Sequence, residues 1–205
     1  MRKMLLTLCG GLFITALSAA SGFAQHNGRA FYKQPYKSRN SGSFSRNTGI
    51  LSFGYGFPNE SGTGYDYWIN GNRADFGPAY VKYEHGIIDE IGIGGYAGFA
   101  ASRYRYSKNN VDHATAFGMG ALGYYHFNKL IPVRQLDVYA GVGIGFRARS
   151  FTETRNKVKT NGTDFDVLPV AKAGARWYFT QLFGVYAEVG YDQMSDVNIG
   201  INLRF

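Results

Sequence analysis

Apolar and polar residues alternate with a period of two along most of the chain, from Gly49 to Phe205. Successive side chains of a β-strand point to opposite faces, so this pattern predicts strands rather than helices. We predict eight of them, at Gly49–Phe57, Phe76–His85, Glu90–Arg103, Ala114–Phe127, Leu136–Arg149, Val167–Phe179, Phe183–Tyr191 and Val197–Phe205. Each is about as long as the ~9–11 residues that a tilted strand needs to cross a bilayer.

The connections between these strands alternate in length, apart from the short Asp192–Asp196. Long polar connections are predicted at Pro58–Asp75, Tyr104–His113 and Ser150–Asp166, with tighter ones at Gly86–Asp89, Asn128–Gln135 and Thr180–Leu182. Membrane barrels combine long loops on one side with short turns on the other. The pattern therefore predicts that both chain termini lie on the side of the short turns.

The two faces of each strand differ in composition. In Leu136–Arg149 one face is Val138, Ala140, Val142, Ile144 and Phe146, and the other is Tyr139, Gly141, Gly143, Gly145 and Arg147. Glycine is a poor strand former, but it leaves room in a narrow barrel for large side chains from facing strands. We therefore predict that the glycine and charge face points inward and the apolar face meets lipid. The alternative is a soluble barrel with the apolar face inside.

Aromatic residues and prolines refine this picture. Tyr124, Tyr125, Phe127, Trp177, Phe179, Phe183 and Phe205 lie at strand ends and are predicted to form an aromatic girdle at one rim. Pro78 and Pro169 lie inside predicted strands, where a missing backbone donor breaks the ladder. A bulge or a loss of pairing is expected at both, near the opposite rim.

The N-terminus has the features of a secretory signal peptide. Arg2 and Lys3 precede an apolar run, Met4–Ala20, and small residues lead to a predicted cleavage after Ala24. A membrane anchor is the alternative, but the run is short and ends in small residues. Cys9, the single cysteine, lies in this segment, so residues 25–205 offer no disulfide and no thiolate metal ligand.

Positive charge is concentrated just after the predicted signal peptide. The formal net charge is +8, and 8 − 2 leaves +6 without Arg2 and Lys3. Arg29, Lys33, Lys37, Arg39 and Arg46 fall between residues 25 and 48, where no acidic residue occurs. We predict a disordered basic tail over 25–48, followed by a barrel over 49–205. Export argues against a nucleic-acid partner for this tail.

The end of the chain resembles a known family. Phe183–Tyr191, a short turn and Asn198–Phe205 resemble the closing hairpin of small outer-membrane β-barrel proteins, the OmpA/OmpX-like group. The terminal Phe205 resembles the signal that such proteins present to the barrel-assembly machinery. Over residues 49–205 the resemblance implies an all-β fold, a closed antiparallel transmembrane barrel of eight strands. It also implies a Gram-negative outer membrane, with membrane lipid and lipopolysaccharide as partners.

The inward face is expected to carry a charge cluster. If Phe179 pairs with Phe183 across their tight turn, Glu188 lies opposite Gly174, with Lys172 and Arg176 at its diagonals. Diagonal neighbours are ~7–8 Å apart, within reach of long side chains. We predict that Glu188 is salt-bridged to Lys172, Arg176 or both, and that Arg147 joins them. Such a cluster forms a structural plug, and a gated ion path is the alternative.

The sequence carries no pattern typical of an active site. His26, His85, His113 and His126 lack metal-ligand spacing, and no nucleophile or phosphate-loop motif stands in a suitable context. His113 is predicted in a loop, and His85 and His126 at the membrane interface. We predict a non-enzyme without cofactor or metal, with a structural or surface-binding, adhesive role. A narrow pore and a lipid-modifying barrel enzyme are the alternatives.

The long connections are the predicted contact surface of the protein. Tyr65, Tyr67 and Trp68 in the first connection are aromatic, and Ser150–Asp166 carries charges of both signs. Loops that a rigid scaffold displays often carry binding function. We therefore expect these connections to offer a possible site for an extracellular ligand.

Overall fold

The computed structural model describes residues 43–61, 73–107 and 109–205. They form eight strands: β1 (Gly49–Phe57), β2 (Arg73–Gly86), β3 (Ile91–Ser107), β4 (Asn110–His126), β5 (Leu136–Arg155), β6 (Val158–Tyr178), β7 (Phe183–Tyr191) and β8 (Val197–Arg204). Each strand pairs antiparallel with its sequence neighbours, and β1 pairs with β8. The predicted closed, eight-stranded antiparallel barrel is confirmed. No helix among the described residues is long and apolar enough to cross a membrane.

The two ends of the barrel sequence close the ring. β1 and β8 pair from Ile50↔Arg204 to Phe57↔Val197. Below them, Gly49 N donates to Phe205 O at 2.6 Å and Phe205 N donates to Gly49 O at 2.9 Å. Closure satisfies the backbone groups that an open sheet would leave exposed, as lipid requires. The terminal Phe205 is thus part of the seam, and its role as an assembly signal stays a prediction.

The outer surface of the barrel is apolar, as the alternation predicted. Val142 and Val167 are 70% and 77% exposed, whereas Tyr139 and Asn202 on the inward face are 1% and 0% exposed. The exposed aliphatic band also includes Ile93, Ile144, Val185, Val189, Ile199 and Ile201. A surface of this kind needs lipid rather than water around it. The barrel therefore has the surface of a transmembrane protein.

Aromatic side chains border this band at both ends. At the rim of the short turns the exposed aromatics include Tyr83, Tyr125, Trp177, Phe179, Phe183 and Phe205, and at the opposite rim Tyr55, Phe57, Phe76, Phe99, Phe165 and Tyr191. Two such belts are typical of membrane barrels. Tyr124 was wrongly assigned to the girdle, because its parity in β4 turns it inward, where it is 4% exposed.

The central strands extend far beyond the others on the side of the long connections. β5 and β6 have 20 and 21 residues, whereas β7 and β8 have 9 and 8. The loops predicted at Ser150–Asp166 and Tyr104–His113 are therefore largely strand, and His113 lies in β4. Above the bilayer both faces of these strands are polar. The sequence there no longer alternates between apolar and polar residues, although the strands remain paired. The β5–β6 hairpin turns at Asn156 and Lys157, which have φ of 49° and 70°.

The two strand prolines behave as expected. The β2–β3 register shifts between Phe76 and Ala79, which is the bulge predicted at Pro78. Pro169 keeps its register with Ile144 of β5, but the pairing between β6 and β7 ends at Ala171. Its missing N–H therefore falls where β6 has no partner strand on that side within the described part of the chain.

The inward glycines leave room for tyrosine rings, and a substitution at Gly174 tests this explanation. A Cβ at Gly174 would lie 2.7 Å from Tyr139 Oη, and Tyr139 is fully enclosed. We expect Gly174→Ala to lower the free energy of unfolding by about 1–3 kcal/mol, the usual range for overpacking. Urea titration in lipid vesicles measures it. Gly123→Ala is the control, since nothing lies within 4 Å of its Cβ. Equal effects at the two sites would contradict this explanation.

The structure describes the N-terminal segment from residue 43 onward. The signal peptide predicted over 1–24 and most of the tail predicted over 25–48 lie outside the described residues. Residues 43–48 are ordered against the barrel: Asn47 N donates to Gly86 O at 2.8 Å, and Arg204 donates to Ser43 O at 2.6 Å. The prediction of disorder is therefore wrong for this last part of the tail.

Candidate functional site

The barrel interior contains two ion-pair clusters, and the lower one lies near the rim of the short turns. Arg176 of β6 donates to Asp137 Oδ2 at 2.9 Å and to Glu84 Oε2 at 2.6 Å. Asp137 is directly opposite Arg176 in the β5–β6 register, whereas Glu84 reaches it from β2 across the lumen. One guanidinium thus joins opposite walls of the barrel, with the paired geometry that suits two carboxylates.

His126 completes this lower cluster. Its Nε2 lies 2.5 Å from Glu84 Oε1 and its Nδ1 lies 2.8 Å from Asp137 Oδ1. A ring with a carboxylate oxygen at each nitrogen donates from both, which is the arrangement of an imidazolium. The prediction of an interfacial position for His126 is wrong, because the residue faces the lumen and is 0% exposed.

The upper cluster centres on Glu188 of β7. Lys82 Nζ of β2 lies 2.5 Å from Glu188 Oε1, Lys172 Nζ of β6 lies 3.3 Å from the same oxygen, and Tyr139 donates to Oε2 at 3.0 Å. Lys172 also contacts Asp192 Oδ2 at 2.8 Å. The Glu188 carboxylate therefore links β7 to three other strands through charged or hydroxyl donors. All of these groups are buried.

Tyrosine rings surround the cations of both clusters. Lys82 Nζ lies 4.8 Å from the Tyr186 ring centre, and Lys172 Nζ lies 4.9 Å from that of Tyr96. The Arg176 guanidinium lies 3.9 Å from the ring centre of Tyr139. Cation–π contacts of this kind are strongest where water is excluded. The rings thus line the lumen and stabilise its buried charges.

The predicted charge cluster is partly reproduced. Glu188 lies opposite Gly174, as the register argument required, and Lys172 is beside it. Arg176 does not reach Glu188, because Asp137 and Glu84 hold it lower in the barrel. Arg147 does not join either cluster: it lies near the opposite mouth and pairs at 2.7 Å with Asp166, its cross-strand partner in β6.

Several interior residues were missed by the sequence analysis. Lys82, Glu84, Asp137, His126 and Asp192 all carry the network. Their parity was available as a signal: Lys82 and Glu84 alternate with Val81 and Tyr83, which face outward. What parity alone does not give is the pairing across the lumen, since that depends on the shear of the closed barrel.

The interior clusters balance their charges. Four acids, Glu84, Asp137, Glu188 and Asp192, face Lys82, Lys172, Arg176 and a protonated His126. Among the described residues no three acidic, histidine or cysteine side chains are placed to hold a metal ion. The network links strands to one another across the lumen. Tyr65, Tyr67 and Trp68, the predicted loop-binding residues, lie outside the described residues.

Comparisons with known proteins give structural neighbours only. No family model and no curated protein matches the chain. Among solved structures, the chain is similar to Ail, the attachment invasion locus protein of Yersinia pestis, in complex with the heparin analogue sucrose octasulfate (14% identity, 78% of this chain and 96% of that one, TM-score 0.48). It is also similar to the outer membrane protein OprG of Pseudomonas aeruginosa (9%, 80% and 98%, 0.48) and to the N-terminal β-barrel domain of OprF from the same organism (16%, 78% and 99%, 0.42).

Proposed function

We propose that this protein is a surface-binding barrel of a Gram-negative outer membrane, with a closed interior and an extracellular sheet that binds another protein by strand addition. The observation that carries this proposal is an edge of β6 with which no strand of the described residues pairs. Residues 158–170 pair with β5 on one side, but the register with β7 begins only at Ala171. Exposed edges of this kind are templates for an added strand.

The direction of the backbone groups identifies which residues form the edge. Tyr178 N donates toward β5, to Gln135 O, and Phe179 N donates toward β7, to Phe183 O. Backbone groups of an antiparallel strand alternate between its two neighbours. The odd-numbered residues of β6 therefore present their N–H and C=O to the unpaired side: Lys159, Asn161, Thr163, Phe165 and Val167.

The sheet that extends beyond the barrel on the side of the long connections has a second edge, on β2, and this edge is covered by other residues of the chain. The Asn59 amide donates to Phe76 O at 3.1 Å and to Ala101 O at 3.0 Å, and Gly77 N donates to Tyr55 Oη at 2.9 Å. Among the described residues, no strand pairs with the corresponding edge of β6. Strand addition is therefore directed to β6.

The position of the aromatic belts supports an aqueous setting for this edge. Phe165 belongs to the belt away from the short turns, and Thr163, Asn161 and Lys159 follow it on the side facing away from the aliphatic band. Strands rise about 3.3 Å per residue, so these residues stand clear of the hydrocarbon region. An extended segment of a soluble or cell-surface protein can reach them there.

Thr163→Pro tests strand addition. The ring removes the N–H of an edge residue without removing a bond to β5, since that N–H points away from β5. Displayed random peptides are selected on the wild-type barrel in lipid nanodiscs, and the affinities of the enriched sequences are measured on the variants. We expect Thr163→Pro to weaken binding roughly tenfold, the equivalent of about 1.4 kcal/mol.

Thr163→Ala is the matched control, because it changes the side chain and keeps the N–H. Peptides that add to the edge bind this variant as they bind the wild type. Full binding to Thr163→Pro, or equal losses with both variants, would instead assign binding to side chains and reject strand addition.

A further inference from the structure

The lower mouth of the barrel is closed by a side chain that no strand carries. Phe44 precedes β1 and is 3% exposed. Its ring stacks on the His126 ring, with centres 3.5 Å apart and an angle of 5° between the planes. Gly86 leaves space for it, since a Cβ there would lie 3.0 Å from Phe44 Cζ. The ring covers the lower ion-pair cluster from the side of the short turns.

Phe44 is held at this mouth by contacts to neighbouring backbone. Asn128 donates to Phe44 O at 3.0 Å, and Arg204 donates to Ser43 O at 2.6 Å. Farther along, Arg46 N donates to Asp89 Oδ1 at 3.0 Å. All of these bonds join the segment to turns or strand ends, and none belongs to the barrel ladder. Asn47 and Thr48 hydrogen-bond to Gly86 of β2 and continue the β1–β2 pairing, so it is residues 43–46 that can move away while every strand pairing of the barrel stays intact.

The upper mouth is closed in the same manner by Met194, in the connection between β7 and β8. Met194 is 0% exposed, and its sulfur packs over Gly118 on the inner wall. Asp192 Oδ1 accepts from Met194 N at 2.9 Å, and Glu60 N donates to Met194 O at 3.0 Å. Partial burial raises the pKa of the Glu60 carboxyl, and the nearby Asp196 and Asp192 raise it further.

We propose that Phe44 and Met194 are two separate plugs, and that each controls the access of water and small solutes to the interior from its own mouth. This inference rests on the closed interior of the proposed function. Between the plugs lie the two ion-pair clusters, whose salt bridges and tyrosine rings line the lumen. Removal of one plug therefore wets one cluster and leaves the other dry.

Single cysteines report access from each side, in a chain whose own Cys9 is replaced by Ser. Ile50→Cys places a thiol in the lower layer, since Ile50 pairs with Glu84 and is 1% exposed. Ala116→Cys places one in the upper layer, since Ala116 is 1% exposed and lies on the inner face of β4 two residues from Gly118, over which Met194 packs. Each is combined with Phe44→Ala or with Met194→Ala and labelled with a small cationic methanethiosulfonate in lipid vesicles.

We expect a crossed result. Phe44→Ala changes the Ile50→Cys thiol from unlabelled to labelled and leaves Ala116→Cys unlabelled, and Met194→Ala does the reverse. Phe44→Leu, which keeps an apolar plug, protects Ile50→Cys. Phe179→Ala and Met119→Ala, changes of the same kind on the outer face, alter neither thiol. Resistance of the folded barrel to sodium dodecyl sulfate shows that each variant is folded.

Other outcomes overturn a specific claim. If either plug variant exposes both thiols, or if both stay protected, the plugs do not act separately and the inference fails. If the thiols are labelled with both plugs present, the interior is open, and the closed barrel of the proposed function fails instead. Strand addition at β6 is independent of either result.

Discussion

Glu188→Gln is expected to lower the free energy of unfolding of the barrel by roughly 3–5 kcal/mol, the cost of breaking a buried ion pair from one side. The amide keeps the shape of the side chain, but it removes the carboxylate that Lys82 contacts at 2.5 Å. Lys172 still has Asp192, whereas Lys82 is left as a buried ammonium without an acidic partner. Urea unfolding in lipid vesicles, followed by tryptophan fluorescence, measures the change.

Two further variants separate the charge effect from the effect of mutation itself. Asp196→Asn removes an exposed acid from the connection next to β8, and we expect a change within about 0.5 kcal/mol. Lys82→Met combined with Glu188→Leu removes both charges, and much of the lost stability should return. An unchanged unfolding midpoint for Glu188→Gln would mean that the cluster does not stabilise the fold.

Local alternation predicted which face of each strand meets lipid because it is a property of single strands. In β7 and β8 every outward residue was assigned correctly, from Phe183 to Tyr191 and from Val197 to Leu203. A tight turn also sets its own register, so the position of Glu188 opposite Gly174 followed from Phe179 and Phe183. Information carried within one hairpin was therefore sufficient for both the outer surface and part of the interior.

The contacts across the lumen did not follow from the sequence. Glu84 reaches Arg176 although three strands separate β2 from β6 in either direction along the ring. Which residues meet there depends on strand tilt and stagger, and no single hairpin encodes these. The same limit explains Arg147: its inward direction was right, but its height placed it beside Asp166.

The extent of the strands above the membrane was missed for a different reason. Residues 150–166 carry polar side chains on both faces, so their alternation is weak and their composition resembles that of a loop. Cross-strand pairs such as Arg149 with Asp164, 2.6 Å apart, hold the hairpin together instead of apolar burial. In this part of the sheet no other described strand pairs with the free edge of β6, so the edge on which the strand-addition proposal rests was not predictable from the sequence.

Arg176→Met is expected to have the largest effect on stability, because one side chain satisfies two buried carboxylates. Its loss leaves Glu84 and Asp137 facing each other across His126, with a single imidazolium between two negative charges. It also removes the guanidinium that stacks on Tyr139. We expect a loss of at least about 3–5 kcal/mol, measured by urea unfolding in lipid vesicles.

Arg204→Met is the matched control for this variant. The Arg204 guanidinium also lies 3.9 Å from a tyrosine ring centre, that of Tyr178, but it hydrogen-bonds to backbone oxygens rather than to buried acids. Its loss should cost about 0.5–2 kcal/mol, in the range of a cation–π contact. Adding Glu84→Gln to Arg176→Met should return part of the stability, since it removes one of the two unpaired charges. If Arg176→Met and Arg204→Met destabilise the barrel equally, ring stacking rather than charge pairing holds the lower cluster together.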